Sequence, residues 1–432
     1  MDKIDSIVES ISKKLTDYDF VKNIIKDNKI IIDEVEINYF NELSLSHGIP
    51  SLCMLYGELN EIYPNQGWDQ IGNNYISIIG NKLMNEGINS LSIFSGLSGI
   101  GLATVCLSHN GLHYNNFINN INKYIKSNAY NYLKSLKFKN DLHMEYYDII
   151  SGVSGLGNYC TLFKEDEEMV NILTEIVKYI INLTEDISVN DKKVPGWYIK
   201  SNNQFSQKDK EKWPQGCFNI GLAHGIPSLL ILLINASKIG INLNGQNNSI
   251  YKLIQFLINF RVEDNNGGYW TTHISLKEFN NNEINDFYTR DAWCYGTPGV
   301  AYSLLLAGIQ LNNDEYVNIA VNAMKNSIKN LRDVKSSIFC HGLSGIAYIT
   351  YKFFLKTQDK FFKEQYIQLI DKILDMYNPN TPFGFFDIEA NYEKDIIHNN
   401  IGIIDGTTGV ILTLLALKYG NKTPWDYAFM LN

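Results

Sequence analysis

Cys294, Cys340 and His341 are the residues of this chain best suited to hold a metal ion. Thiolate and imidazole are the ligands zinc prefers, and two cysteines with one histidine leave a fourth position open, as catalytic zinc sites do. The linear spacing is no metal motif in itself: Cys340 and His341 are adjacent, and Cys294 lies 46 residues upstream. The competing reading is that both cysteines are small buried core residues. Other residues carry chemistry too. His224 is either a general acid/base, titrating near neutrality, or a histidine capping a helix. Asp148 sits in Tyr146-Tyr147-Asp148-Ile149-Ile150, and an acid among apolar neighbours needs a partner. Arg290 is one of three arginines and lies close to Cys294. It can stabilise developing negative charge, or simply pair with Asp291 at the surface. Cys53, Cys106, Cys160 and Cys217 have no such setting and read as core positions.

A repeat places these residues relative to one another. A glycine motif recurs seven times: His47-Gly48-Ile49-Pro50, Ser95-Gly96-Leu97-Ser98-Gly99, Ser151-Gly152-Val153-Ser154-Gly155, His224-Gly225-Ile226-Pro227, Tyr295-Gly296-Thr297-Pro298-Gly299, His341-Gly342-Leu343-Ser344-Gly345 and Asp405-Gly406-Thr407-Thr408-Gly409. Successive first glycines are 48, 56, 73, 71, 46 and 64 residues apart, room for two helices per unit. Cys294 and Cys340 share one position of the repeat; His224, Tyr295 and His341 share the next. Polar and sulfur-bearing side chains should therefore gather at one end of the helices that the motifs open. His47 shares the position but has no cysteine beside it, so it is left out of the expected site.

Each motif is followed by an apolar helix-like run, such as Ile226–Ile234, Val300–Leu306 and Val410–Leu417. Ser, Thr or Pro stands near each start, where a helix takes a cap or a first-turn proline. Between the motifs, Tyr316–Leu331 and Phe361–Met376 have apolar residues at helical spacing. Seven helical hairpins in series make an open solenoid or a closed ring. Glycine at the head of each apolar helix permits close packing and favours the ring. The expected fold is all-α: a closed α,α-toroid of seven hairpins with short β insertions in long loops. The repeat spans the chain, so residues 1–432 read as a single domain. Two segments break the pattern, 188–216 and 262–288, and read as loop and strand insertions.

The balance of composition narrows the function. Net charge is −9, which argues against a nucleic-acid partner. The start Met-Asp-Lys-Ile-Asp-Ser lacks a signal-peptide pattern. No apolar run approaches the ~20 residues of a membrane span. Scattered cysteines without an export signal fit free thiols or a metal site better than disulfides.

Arg290-Asp291-Ala292-Trp293-Cys294-Tyr295-Gly296, Gly221-Leu222-Ala223-His224-Gly225 and Cys340-His341-Gly342 together resemble the lanthionine synthetase C (LanC) family, most of all its stand-alone cyclases of the nisin type. Trp197-Tyr198-Ile199-Lys200-Ser201 and the run up to Gly216-Cys217 add to the likeness, which covers essentially the whole chain. The resemblance implies an α,α-toroid with one Zn²⁺ per chain, held by Cys294, Cys340 and His341. It implies an enzyme that closes (methyl)lanthionine thioether rings by adding precursor cysteine thiols to dehydroalanine or dehydrobutyrine. It places the acid/base histidine at His224 and the aspartate that serves it at Asp148; the active-site arginine and tyrosine fall on Arg290 and Tyr295. The implied partners are a dehydrated precursor peptide with its leader, a lantibiotic dehydratase and an ABC exporter. The implied location is cytoplasmic, peripheral at the inner face of the cell membrane through those partners. The 188–216 loop is the candidate for leader recognition.

Three other readings compete. A LanC-like thiol-peptide binder or scaffold would need no lantibiotic pathway. A zinc prenyltransferase-like α/α barrel normally adds an aspartate ligand, which the motifs do not supply. A glycosidase on the same toroid needs paired carboxylates, and the repeat position offers only Asp405.

Overall fold

A computed structural model describes residues 3–26, 28–32, 35–38, 40–137, 141–265, 267–390 and 395–432. Each glycine motif opens a helix: Pro50–Ile62, Leu97–Leu107, Val153–Cys160, Ile226–Lys238, Thr297–Leu311, Leu343–Thr357 and Thr407–Tyr419. These helices are mainly apolar and buried over most of their length; from Ile226 to Ala236 every residue is inside. Amphipathic helices cover them, with one buried face each. The segments expected at 316–331 and 361–376 form the helices Asp314–Asn330 and Lys360–Asp375.

The helix starts are built differently from the sequence expectation. The first glycine of the motif is usually the N-cap, and no side chain caps those helices. The motif serines turn back into the preceding loop instead. Ser98, Ser154 and Ser344 each donate to the carbonyl seven residues earlier, at Leu91, Tyr147 and Ser337. A hydroxyl inside an apolar helix needs an acceptor, and this one ties the loop to the helix it feeds. Pro50, Pro227 and Pro298 occupy the first turn, where a missing N–H costs nothing. The second glycine of the motif serves close approach: a Cβ on Gly299 would lie 2.4 Å from the Trp293 carbonyl and 2.7 Å from Leu222 Cβ.

The chain packs as two compact units. The first takes residues up to 122 together with 334–426. In it, Leu343–Thr357 packs on Thr407–Tyr419, which packs on Pro50–Ile62, which packs on Leu97–Leu107. Trp68–Glu86 and Lys360–Asp375 cover their neighbours in sequence. Buried Glu58 accepts from the amides of Lys422 and Thr423 and from the Thr423 hydroxyl, which holds the segment after the last helix. A hairpin of Asp387–Ala390 with Asp395–His398 precedes that helix.

The second unit takes 123–333 with 427–431. Val153–Cys160, Ile226–Lys238 and Thr297–Leu311 lie side by side. Glu167–Leu183, Gln246–Asn259 and Asp314–Asn330 pack against them. The returning segment 427–431 is bound through its carbonyls: Asn158 Nδ2 donates to Tyr427, and Trp293 Nε1 to Phe429. The segment 188–216 carries part of a hairpin, Asp186–Val189 with Lys192–Pro195, and the short helix Gln207–Lys212. The segment 262–288 carries His273–Ser275, which pairs with Cys217–Asn219, and the helix Leu276–Asn281; its residue 266 lies outside the described residues. Among the described residues, no helix is long and apolar enough to cross a membrane.

Candidate active site

The loops before the motifs are tied by main-chain bonds between equivalent positions. Ser46 N donates to Phe94 O, Ala223 N to Cys294 O, and Cys340 N to Ile404 O. All six residues stand two places before a motif glycine. The repeat position read from sequence is thus a spatial position, set by backbone hydrogen bonds that any residue except proline can make.

Cys294, Cys340 and His341 bring one ligand atom each to within 4.8 Å of one another. Cys294 is buried and Cys340 partly so. The Asp387 carboxylate accepts from His341 Nε2 at 3.1 Å. Two sulfurs and an imidazole backed by a carboxylate fit zinc in donor chemistry and in outer-shell support. The four other cysteines are buried. Burial pushes the Cys160 thiol up to about 12 and drives those of Cys53, Cys106 and Cys217 well above the usual thiol range, so they stay protonated.

His224 and Asp148 form a tight pair: His224 Nδ1 lies 2.6 Å from Asp148 Oδ2. Asp148 is fully buried, and its Oδ1 accepts from the amides of Ser151 and Gly152, both at 2.8 Å. The carboxylate is therefore fixed by its own loop and presents one oxygen to the imidazole. His224 does not cap its helix; its side chain is 23% exposed, and with Nδ1 held by Asp148 the ring nitrogen left is Nε2. The Phe205 ring stands edge-on to it at 5.0 Å and is itself exposed.

Tyr295 is half-buried with its ring against Gly221, and its hydroxyl accepts from Asn219 Nδ2 at 3.1 Å. Burial drives this phenol far up, so it stays protonated. Asn219 also donates to His273 Nε2 at 3.0 Å. Burial, with the nearby charges of Lys212 and His224, pushes His273 down to about 3 and keeps it neutral. Gly296, next in sequence to Tyr295, has φ +78°, and a Cβ there would collide with the Arg290 carbonyl.

The arginines are paired across one another. Arg290 does not bind Asp291; its Nε faces Asp333 at 3.7 Å. Asp291 is fully buried and accepts from the Arg332 amide at 2.8 Å and from its guanidinium at 3.3 Å. The surface pair of adjacent residues is thus replaced by two longer-range links that fix the Arg290-Asp291 turn. His47, set aside in the sequence reading, meets Asp405 at 3.0 Å and Ser46 Oγ at 2.8 Å. Asp387, Asn219, His273, Asp333 and Phe205 were not singled out from sequence. None belongs to the glycine motifs. For Asn219 and His273 the signal is their place in the paired strands beside the His224 loop; for Asp387 it is an acid between the apolar residues Phe386 and Ile388.

The profile of the "Lanthionine synthetase C-like protein" family matches residues 39–430. The chain is 29% identical to "Nisin biosynthesis protein NisC" of Lactococcus lactis subsp. lactis over 395 residues, 91% of this chain and 90% of that protein. Its structure is similar to that of "Nisin cyclase", with a TM-score of 0.80 and 28% identity, covering 91% of this chain and 93% of the other. That likeness gives the fold class as the all-α, α,α-toroid expected from the repeat. With the profile running across nearly all of its length, the chain belongs to the lanthionine synthetase C-like family.

Proposed function

We propose that this protein is a zinc-dependent lanthionine synthetase that closes thioether rings in a dehydrated precursor peptide. The observation that carries the reading is the convergence of Cys294, Cys340 and His341. The resemblance to a nisin cyclase supports it, as does the His224–Asp148 pair. Cys294, Cys340 and His341 would hold one zinc per chain. Zinc bound there would supply a thiolate near neutral pH, where a free cysteine of pKa ~8.5 is mostly thiol.

The reaction adds S–H across a carbon–carbon double bond. Sulfur bonds to the β-carbon of the dehydro residue, and the π electrons move onto the adjacent carbonyl as an enolate. Arg290, oriented by Asp333, stabilises that charge. His224 Nε2 then delivers a proton to the α-carbon, and Asp148 at Nδ1 holds the ring and stabilises its charged form. The proton lost by the thiol balances the one gained at carbon, so the closure is neutral overall. Tyr295 stays a phenol and serves as a hydrogen-bond donor that positions the peptide, not as a base.

The reading takes residues 1–432 as a single domain, which the family match over residues 39–430 supports. It also places the protein after a dehydratase and beside an exporter, at the inner face of the membrane through those partners. The test is ring closure on a dehydrated precursor, followed by loss of alkylatable thiol in mass spectra. Zinc-loaded protein is expected to protect the cysteines and chelated protein is not. Equal closure by metal-free protein would overturn the zinc mechanism, and peptide binding without closure would favour the binding-module reading.

A further inference from the structure

Asp387 belongs to no glycine motif and lies in the hairpin between the last two long helices. Its side chain is 3% exposed, and that of His341 is 10% exposed. A carboxylate so enclosed needs a donor, and His341 Nε2 at 3.1 Å supplies one. The strand that carries Asp387 is fixed on its approach. Phe383 and Phe385 are fully buried, and Thr407 Oγ1, at the start of the last apolar helix, donates to the Phe383 carbonyl. An imidazole has two nitrogens, and the hydrogen bond made by one decides what the other can do. With Nε2–H donated to a carboxylate, Nδ1 keeps its lone pair.

We infer that Asp387 is a positioning residue for the metal, holding His341 through Nε2–H so that Nδ1 is the ligating nitrogen. The inference rests on the zinc reading above and goes beyond it by naming the group that fixes tautomer and ring orientation. The carboxylate also raises the basicity of the imidazole, and partners of this kind typically contribute about 10–100-fold in metal affinity.

Zinc competition against a chromophoric chelator, on the full chain, tests it. Wild type is expected to bind one zinc, Asp387→Ala to bind it about 10–100-fold more weakly, and Asp387→Asn to lose less. The thermal midpoint of each metal-free variant, measured alongside, separates a weakened ligand from a damaged fold. A second measurement needs no variant: long-range ¹⁵N–¹H correlations of labelled histidine in zinc-loaded wild type should show His341 protonated at Nε2 and metal-shifted at Nδ1. Wild type that takes up no zinc overturns the metal reading itself. Wild type that binds zinc while Asp387→Ala binds it equally well, or a His341 that ligates through Nε2, overturns the role of Asp387 alone.

Discussion

At the scale of single residues, the two halves of the site fail in different ways. Cys294→Ala or Cys340→Ala should remove zinc and cyclisation together, read by plasma mass spectrometry and by ring closure. His224→Ala should keep a full complement of zinc yet lose protonation at the α-carbon; the rate should fall about 10²–10⁴-fold, the range for a general acid. A His224→Ala protein that lacks zinc would mean that the two groups are not separable. The grouping of Cys294, Cys340 and His341 was legible because the two cysteines share one repeat position and the histidine holds the next. The sequence hid their support. Asp387 reaches His341 from a hairpin, and Asp333 reaches Arg290 from beyond the next two helices. Neither link has a fixed spacing in the chain, since it depends on how loops return.

Among the elements, the loop that opens Thr297–Leu311 takes a backbone conformation that favours glycine, at Gly296. Gly296→Ala must place a Cβ at φ +78° and against the Arg290 carbonyl. The cost should be about 1–3 kcal/mol in urea unfolding, with Arg290 displaced and zinc retained. The His47–Asp405 pair, between the loops of the first and last motifs, gives a pH signature. Burial alone would push His47 down, but the charge and hydrogen bond of Asp405 outweigh it and hold the imidazole above its ordinary value. A raised folded pKa means that the stabilisation is complete below about pH 6.5 and is lost as pH rises through the raised value. Denaturant unfolding should therefore show stability falling as pH rises from about 6.5, and His47→Gln should flatten that fall. The helices themselves were plain in the sequence, because their apolar runs are long and the amphipathic ones keep a 3.6-residue period. The capping was not: Ser98, Ser154 and Ser344 have the composition of caps but donate backwards into the loops. Composition alone does not distinguish a hydroxyl that accepts from an amide from one that donates to a carbonyl.

On the scale of the whole chain, residues distant in sequence hold the site-bearing loops. Phe429 is fully buried, packs edge-on against Trp293 and accepts the Trp293 indole N–H. Phe429→Ala should cost about 3–5 kcal/mol of stability, read by urea unfolding, although it lies 135 residues from Cys294. Zinc should act in the opposite direction. An ion that binds the folded chain at 100 times its dissociation constant adds about 2.7 kcal/mol, so the thermal midpoint should rise with added zinc and fall with chelator. The repeat made the helices that the motifs open legible in the sequence. That 427–431 return to bind Trp293 did not show, because nothing in that segment repeats. The main-chain bonds between equivalent loops have a last consequence, for how such a protein can change. Where Ala223 meets Cys294, and Cys340 meets Ile404, the architecture is held by amides and carbonyls. The side chains at that position, Ser, Phe, Ile, Ala, Cys, Cys and Ile around the series, are spared from holding it. Reactive groups can be exchanged among such interchangeable seats while the scaffold stays in place, so that new chemistry arises by reseating residues rather than by rebuilding the fold.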